Sequence, residues 1–198
     1  TVVGNVTINA PSADSTTTTM SVSTGTLTVG GDITINGGST GTARTSAVSV
    51  VSGTINVDDI VFSGTSARAQ FNSSGNSSIY IGGDFGSGGA LSMPGGGTMY
   101  FNGSGAQAIA AYSNYNHITI NNGSTTTLSS GSLITAGNLS VSGTFDIGSA
   151  VLIGGTTTVN SGGTITVSSG VAGDLTFTGL VTVASGGTWN ETAATIIT

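Results

Sequence analysis

Short segments in which apolar residues alternate with small polar residues recur along the whole chain. Successive side chains of a strand point to opposite faces, so a period of two predicts strands with one buried and one hydrated face. The β-branched residues in these segments suit a pleated surface, and no window repeats with the helical period over three turns. The fold is therefore predicted to be all-β. The segments are VTIN at 6–9, TLTV at 26–29, DITI at 32–35, TINV at 54–57, HITI at 117–120, TFDI at 144–147, TTTV at 156–159, TITV at 164–167, DLTF at 174–177 and LVTV at 180–183.

Pairs of glycines separate many of these segments and indicate which all-β fold to expect. Examples are Gly30-Gly31, Gly82-Gly83 and Gly162-Gly163. A β-sandwich would use longer strands spaced about 8–12 residues apart and joined by hairpin turns. Very short strands joined by a few small residues instead fit a parallel β-solenoid. We predict a single solenoid domain over residues 1–198, with three faces and about nine or ten short coils, wound right-handed like most parallel crossovers.

The register of the alternation also predicts the core of the solenoid. The apolar residues at alternate positions of each segment should point inward, and the Thr residues between them should be exposed. The residues expected to be buried are Ile33, Ile35, Ile55, Val57, Ile118, Ile120, Ile165, Val167, Leu175 and Phe177.

The amino-acid composition restricts both partners and chemistry. The chain has 34 Gly, 34 Thr and 29 Ser among its 198 residues, only 2 basic residues, and a net charge of −6. So few cations cannot neutralise phosphates, which excludes nucleic acid as a partner. The absence of Cys excludes a disulfide framework and a Cys-ligated zinc site. No apolar run reaches the length of about 18 residues that a membrane span requires.

Three longer segments resemble a known class of repeat. They read FNGSGAQAI at 101–109, YNHITINNGSTTTL at 115–128 and SVSGTFDIG at 140–148. These segments resemble the repeats of large secreted bacterial surface proteins, and are similar to the solenoid shafts of adhesins and filamentous-haemagglutinin-like exoproteins. The resemblance covers residues 98–190 best. It implies an extracellular location and structural or adhesive work without a catalysed reaction.

His117 is the only histidine and the first candidate for a site. In HITI it takes the position that Thr or Asp takes in TITV and DITI, with Ile118 and Ile120 as the inward pair. We therefore predict a solvent-facing strand residue whose removal changes stability by less than about 0.5 kcal/mol. No second His could complete a metal site, and no base, nucleophile and orienting group can be named together.

Asp58-Asp59, the only adjacent carboxylate pair, would converge only at a turn. We predict no catalytic residue, no metal and no cofactor.

The aromatic residues leave two interpretations open. Most of them lie between Phe62 and Tyr115, where they could fill a wider core. Alternatively, Tyr112 and Tyr115 could form a lateral patch that contacts sugar or a neighbouring subunit. Trp189 is expected to close the last coil.

The apolar strand sequence at both ends of the chain suggests how copies could interact. Natural sheets protect open edges with Lys, Pro or a covering helix, yet this chain has no Lys and no predicted helix. We therefore predict that copies join end to end through an interface formed by Val2, Val3, Trp189, Ile196 and Ile197.

These observations favour a non-enzymatic structural subunit of an extracellular filament, sheath or adhesin stalk, with the chain itself as its partner. A cell-surface or extracellular polysaccharide is a second candidate partner. One alternative is a carbohydrate-binding or polysaccharide-lyase-like solenoid. The small number of charged residues argues against this alternative. Another is an ice-binding solenoid, suggested by Thr-x-Thr at 26–28, 164–166 and 176–178, although DITI, TINV, HITI and TFDI interrupt that series.

Overall fold

A computed structural model describes residues 1–39, 43–64, 68–121, 123, 125–128 and 130–191. The prediction of an all-β, parallel β-solenoid is confirmed. The described residues contain no helix that is long and apolar enough to cross a membrane. The chain divides into two compact units, Thr1–Gly97 and Thr98–Thr198. The single domain over 1–198 and the right-handed winding stay predictions.

In the first unit the chain visits three parallel sheets in turn. The strands are β1 (Val6–Asn9), β2 (Thr17–Val22), β3 (Thr26–Thr28), β4 (Ile33–Asn36), β5 (Thr45–Val50), β6 (Thr54–Val57), β7 (Ile60–Ser63), β8 (Ala69–Ser73), β9 (Ser78–Ile81) and β10 (Ala90–Ser92). The first sheet has the order β1-β4-β7, the second β2-β5-β8-β10, and the third includes β3-β6-β9. Each strand therefore stacks on the strand that occupies the same face of the preceding coil.

The second unit also stacks parallel strands, but in two sheets and with shorter coils. Its strands are β11 (Thr98–Phe101), β12 (Gln107–Ala108), β13 (His117–Ile120), β14 (Thr125–Leu128), β15 (Ser132–Thr135), β16 (Leu139–Val141), β17 (Thr144–Ile153), β18 (Thr157–Val159), β19 (Thr164–Phe177), β20 (Val181–Val183) and β21 (Thr188–Glu191). One sheet includes β11-β13-β16-β18-β20, and the other has the path β12-β14-β17-β19-β21. The long strand β17 continues through a corner, because its first part pairs with β14 and its last part with β15.

Coils of the first unit are longer than the sequence predicted. Asn9 and Asn36 stack on each other in adjacent coils and are 27 residues apart, whereas three faces of short strands and short corners suggested coils of about 20 residues. The difference lies in the connections. β1 ends at Asn9 and β2 begins only at Thr17, so this corner is a loop and not a pair of small residues.

Coils of the second unit come close to the predicted length. Asn138 follows its partner His117 by 21 residues, and Thr156 follows Asn138 by 18. Because long and short coils are mixed along the chain, the solenoid has about 7 turns. The prediction of nine or ten is therefore slightly too high.

The predicted core is confirmed, with one exception. Every residue of the predicted set is buried except Phe177, which is half-buried and packs edge-on against Trp189 at a ring-centroid distance of 5.4 Å. Alternate Thr residues such as Thr34 and Thr166 are half-buried instead of exposed. Neighbouring coils at about 4.8 Å cover their flanks on both sides.

Aromatic side chains pack in the core of both units. The ring of Phe85 packs edge-on against Phe62 at 5.7 Å and against Phe71 at 6.1 Å. Edge-to-face pairs of this kind place the positive ring edge against the negative ring face. In the second unit, the phenol of Tyr115 is 1% exposed and donates a hydrogen bond of 2.8 Å to the carbonyl of Ala110. The core interpretation therefore holds for Tyr115, and a lateral patch that includes it is wrong.

Candidate functional site

The first coil of the first unit leaves three strands at sheet edges. Among the described residues, β1, β2 and β3 are each the outermost strand at one edge of their sheet. None of the three contains a charged residue or a proline. The inward side chains Met20, Val22 and Leu27 are only half-buried, and they line an open groove of about 370 Å³. This edge therefore presents both unpaired backbone and apolar side chains.

Two of the predicted interface residues lie beside this edge and differ in their contacts. Val2 is half-buried. Its N–H donates to the carbonyl of Thr28 at 2.7 Å, and its own carbonyl accepts the N–H of Gly30 at 2.9 Å. Val3 is 97% exposed. Val2 thus extends the sheet of its own chain, whereas the side chain of Val3 projects into solvent.

The last described coil of the second unit is also open. Val181 and Val183 of β20 are 38% and 44% exposed, yet Val183 pairs in register with Val159, which is fully buried. Inward-facing side chains of β20 are therefore exposed because no further coil covers them within the described residues. Trp189 pairs with Ile165 in β19 and is half-buried. Ile196 and Ile197, the remaining predicted interface residues, lie outside the described residues.

A column of Asn and Asp side chains joins successive coils of the first unit. Its members immediately precede strands that stack in register, and they are Asn5, Asp32, Asp59 and Asp84. The Oδ1 of Asn5 accepts the backbone N–H of Asp32 at 3.0 Å, and the Oδ1 of Asp59 accepts that of Asp84 at 2.5 Å. The side chains of Asn5 and Asp59 therefore each satisfy a backbone donor of the next coil.

Glycine is required beside this column. A Cβ built on Gly31 would lie 2.0 Å from the Oδ1 of Asn5, and one on Gly83 would lie 1.9 Å from the Oδ1 of Asp59. The Asn or Asp side chain of one coil thus lies in the space that a side chain of the next coil would need. This explains why the sequence Gly-Gly-Asp recurs at 30–32 and 82–84.

His117 makes a comparable bond in the second unit, at the start of β13. Its Nδ1 accepts the backbone N–H of Asn138 at 2.9 Å, and the Oδ1 of Asn138 accepts the N–H of Thr156 at 2.9 Å. His117 lies on the outer face of β13, with Ile118 and Ile120 buried as predicted, and is half-buried; the sequence did not show that its ring also bonds the next coil. A Cβ on Gly137 would lie 2.4 Å from its Nδ1. We call the column formed by His117, Asn138 and Thr156 the histidine column.

The remaining titratable candidates do not come together. Within the described residues, no group of three or more His, Asp or Glu side chains is placed to hold a metal ion. Asp59 is engaged in its column, while Asp58 lies next to Gly82 of the following coil. Burial raises the pKa of Tyr115 well above its usual value of 10.0, with a further contribution from the neighbouring phenol of Tyr112. That phenol therefore stays neutral and cannot serve as a base near neutral pH.

Comparison of the chain with protein-family models, with curated proteins and with solved structures finds no match.

Proposed function

We propose that the chain is a non-enzymatic structural subunit of an extracellular filament, sheath or adhesin stalk that assembles end to end with copies of itself. The observation that carries the proposal is the exposure of inward-facing side chains at two open coils. In the first unit these are Met20, Val22 and Leu27, and in the second they are Val181 and Val183.

The chemistry of the open coils favours a second copy of the chain as the partner. All strands of a parallel solenoid run in one sense, so an edge of the last coil can pair with an edge of the first coil of another molecule. Such a heterologous contact leaves the same two edges free again, and it produces an open filament unless it closes into a ring. Unprotected edges are otherwise a liability that proteins cover or charge.

The titratable groups of the chain support a role without catalysis. Asp59 and His117 hold backbone N–H groups, and Arg44 pairs with Asp14 at 2.7 Å. These groups are used to stabilise coils and corners. The resemblance to secreted surface proteins supports an extracellular location, and an extracellular polysaccharide remains the second candidate partner.

Microscopy and sedimentation of the purified chain would test the proposal. The wild type should form polymers that persist at high ionic strength, because apolar stacking and backbone pairing are little affected by screening. Val183→Lys places a charge on the open coil and should shorten the polymers. Val61→Lys is the matched control, because Val61 is similarly exposed, at 39%, but lies on an outer sheet face. A wild type that stays monomeric at high concentration, or equal shortening by both substitutions, would contradict the proposal.

One specific observation favours an alternative function on the outer face of the second unit. Four Thr residues stand in register on successive coils, and they are Thr125, Thr144, Thr164 and Thr188. A regular hydroxyl array could bind ice or a polysaccharide, although the adjacent column reads Thr127, Asp146, Thr166 and Asn190. This alternative predicts ice or polysaccharide binding that Thr164→Leu removes and Val183→Lys leaves unchanged.

A further inference from the structure

The hydrogen bond at His117 depends on the charge state of the imidazole. Its Nδ1 accepts the N–H of Asn138, which requires a free lone pair on that nitrogen. A neutral imidazole with its proton on Nε2 provides this lone pair, whereas an imidazolium carries N–H groups on both nitrogens and accepts nothing. Protonation would therefore place the Nδ1–H of His117 against the backbone N–H of Asn138, and both groups are donors.

No ionic group near His117 in sequence can compensate for an added charge. From Phe85 to Phe145 the chain contains no Asp, Glu, Lys or Arg. The histidine is therefore the only side chain in this stretch that gains a charge on mild acidification. The elements around it are β11, where Thr98 is its partner in register, its own strand β13, and the corner before β16.

The titratable groups in these surrounding elements are phenols. Tyr100 lies on β11, and Tyr115 precedes β13. A phenol gains no charge on acidification, so neither can balance an imidazolium. The neighbouring side chains Asn116 and Asn138 are neutral amides.

The bond that acid would break is the first of a series. The backbone N–H of Ile118 donates to the carbonyl of Asn138 at 3.0 Å, and that of Leu139 donates to the carbonyl of Thr156 at 2.9 Å. Asn138 in turn holds the N–H of Thr156 through its side chain. Movement of Asn138 away from an imidazolium would therefore also strain its bond to the following coil.

We propose that the histidine column is an acid-sensitive junction, at which protonation of His117 releases the N–H of Asn138 and loosens successive coils of the second unit. Only the neutral imidazole can accept this hydrogen bond, so the bond is present where the ring is neutral and absent where the ring is protonated. The proposal is independent of filament formation, because it concerns bonds within one chain.

Hydrogen exchange of the Asn138 amide tests the junction directly. His117→Asn is the matched variant, because Asn5 and Asn138 make the equivalent bond with an amide oxygen that does not titrate. Protection should be measured in both proteins at about pH 8 and about pH 5, on either side of the range in which an ordinary imidazole titrates. Between the two pH values, wild-type protection of Asn138 should fall about fivefold more than that of the variant, as expected for one hydrogen bond.

Equal changes in the two proteins would overturn the proposal. If His117→Asn does not fold, the nitrogen spectrum of the wild-type imidazole supplies a second measurement. It should show an unprotonated Nδ1 at high pH, and Asn138 protection should fall together with protonation of that ring. A protonated Nδ1 at high pH, or protection of Asn138 that survives protonation of the ring, would equally overturn it.

Discussion

The corners of the two units make the same backbone connection with different chemistry. In the first unit the column contains three aspartates, Asp32, Asp59 and Asp84, stacked at the spacing of adjacent coils. In the second unit His117 and Asn138 make the same kind of bond at a different corner, the one that leads into β13, β16 and β18. The comparison shows that a side-chain bond from one coil to the next requires an acceptor of suitable reach and not a particular residue. It also shows that the first unit stacks like charges, which repel each other, whereas the second avoids charge.

The largest expected effects should not distinguish the units, because both cores are fully buried. Ile55 in the first unit and Ile120 in the second are 0% exposed. Truncation of either to Ala should lower the free energy of unfolding by about 2–5 kcal/mol, from lost transfer energy and the cavity left behind. Thr34→Ala, on an outer face, is the control and should change it by less than about 0.5 kcal/mol. Denaturant unfolding measures all three, and a small effect at only one Ile would show that the cores are not equivalent.

Substitution of the corner glycines should separate the two units. The three atoms nearest to a Cβ on Gly83 all belong to the side chains of Asp59 and Asp58, whereas a Cβ on Gly137 would also lie 2.7 Å from the backbone oxygen of Asn116. Either Gly→Ala change should cost about 1–3 kcal/mol through overpacking.

The double mutants make this difference measurable. Gly83→Ala should become much less costly in an Asp59→Ala background, because the clashing carboxylate is gone. Gly137→Ala should remain costly in a His117→Ala background, because the backbone oxygen cannot be removed. Gly105→Ala, whose Cβ would meet nothing within 4 Å, is the control. Equal rescue in the two backgrounds would contradict the distinction between the corners.

Alkaline conditions should weaken the second unit through Tyr115. Because burial raises the pKa of this phenol above 10.0, the fold holds the protonated form more tightly than the unfolded chain does. The stability that Tyr115 contributes is constant below about pH 10 and declines as the pH rises further. Tyr115→Phe loses the bond to Ala110, at about 1 kcal/mol, but should show a shallower alkaline decline in thermal midpoint than the wild type. An alkaline decline of Tyr115→Phe as steep as that of the wild type would contradict this expectation.

The sequence predicted the parts of the fold that repeat with a short period. Alternation placed Ile33, Ile118 and Ile165 in the core, because strand side chains can point only inward or outward. It overestimated the number of coils, because the loop from 10 to 16 carries no periodic signal and lengthens a coil without adding a strand. It placed His117 on the outer face but missed its bond to Asn138, because a bond from a side chain to the backbone of the next coil depends on coil length. That length cannot be obtained from a single strand.

The smallest expected effect compares the two columns at neutral pH. His117→Ala removes the acceptor for the Asn138 N–H, and Asp59→Ala removes the acceptor for that of Asp84. Each should cost about 1 kcal/mol, the usual net value of a hydrogen bond, which for His117 exceeds the expectation from sequence alone.

The aspartate change also removes one of three stacked carboxylates, so relief of repulsion should offset part of its cost. Added salt screens that repulsion and should therefore increase the cost of Asp59→Ala while leaving that of His117→Ala unchanged. Chemical denaturation with urea, an uncharged denaturant, at low and high salt measures both costs. Identical salt dependence would mean that charge does not distinguish the columns, and that hydrogen-bond geometry alone determines what each corner contributes.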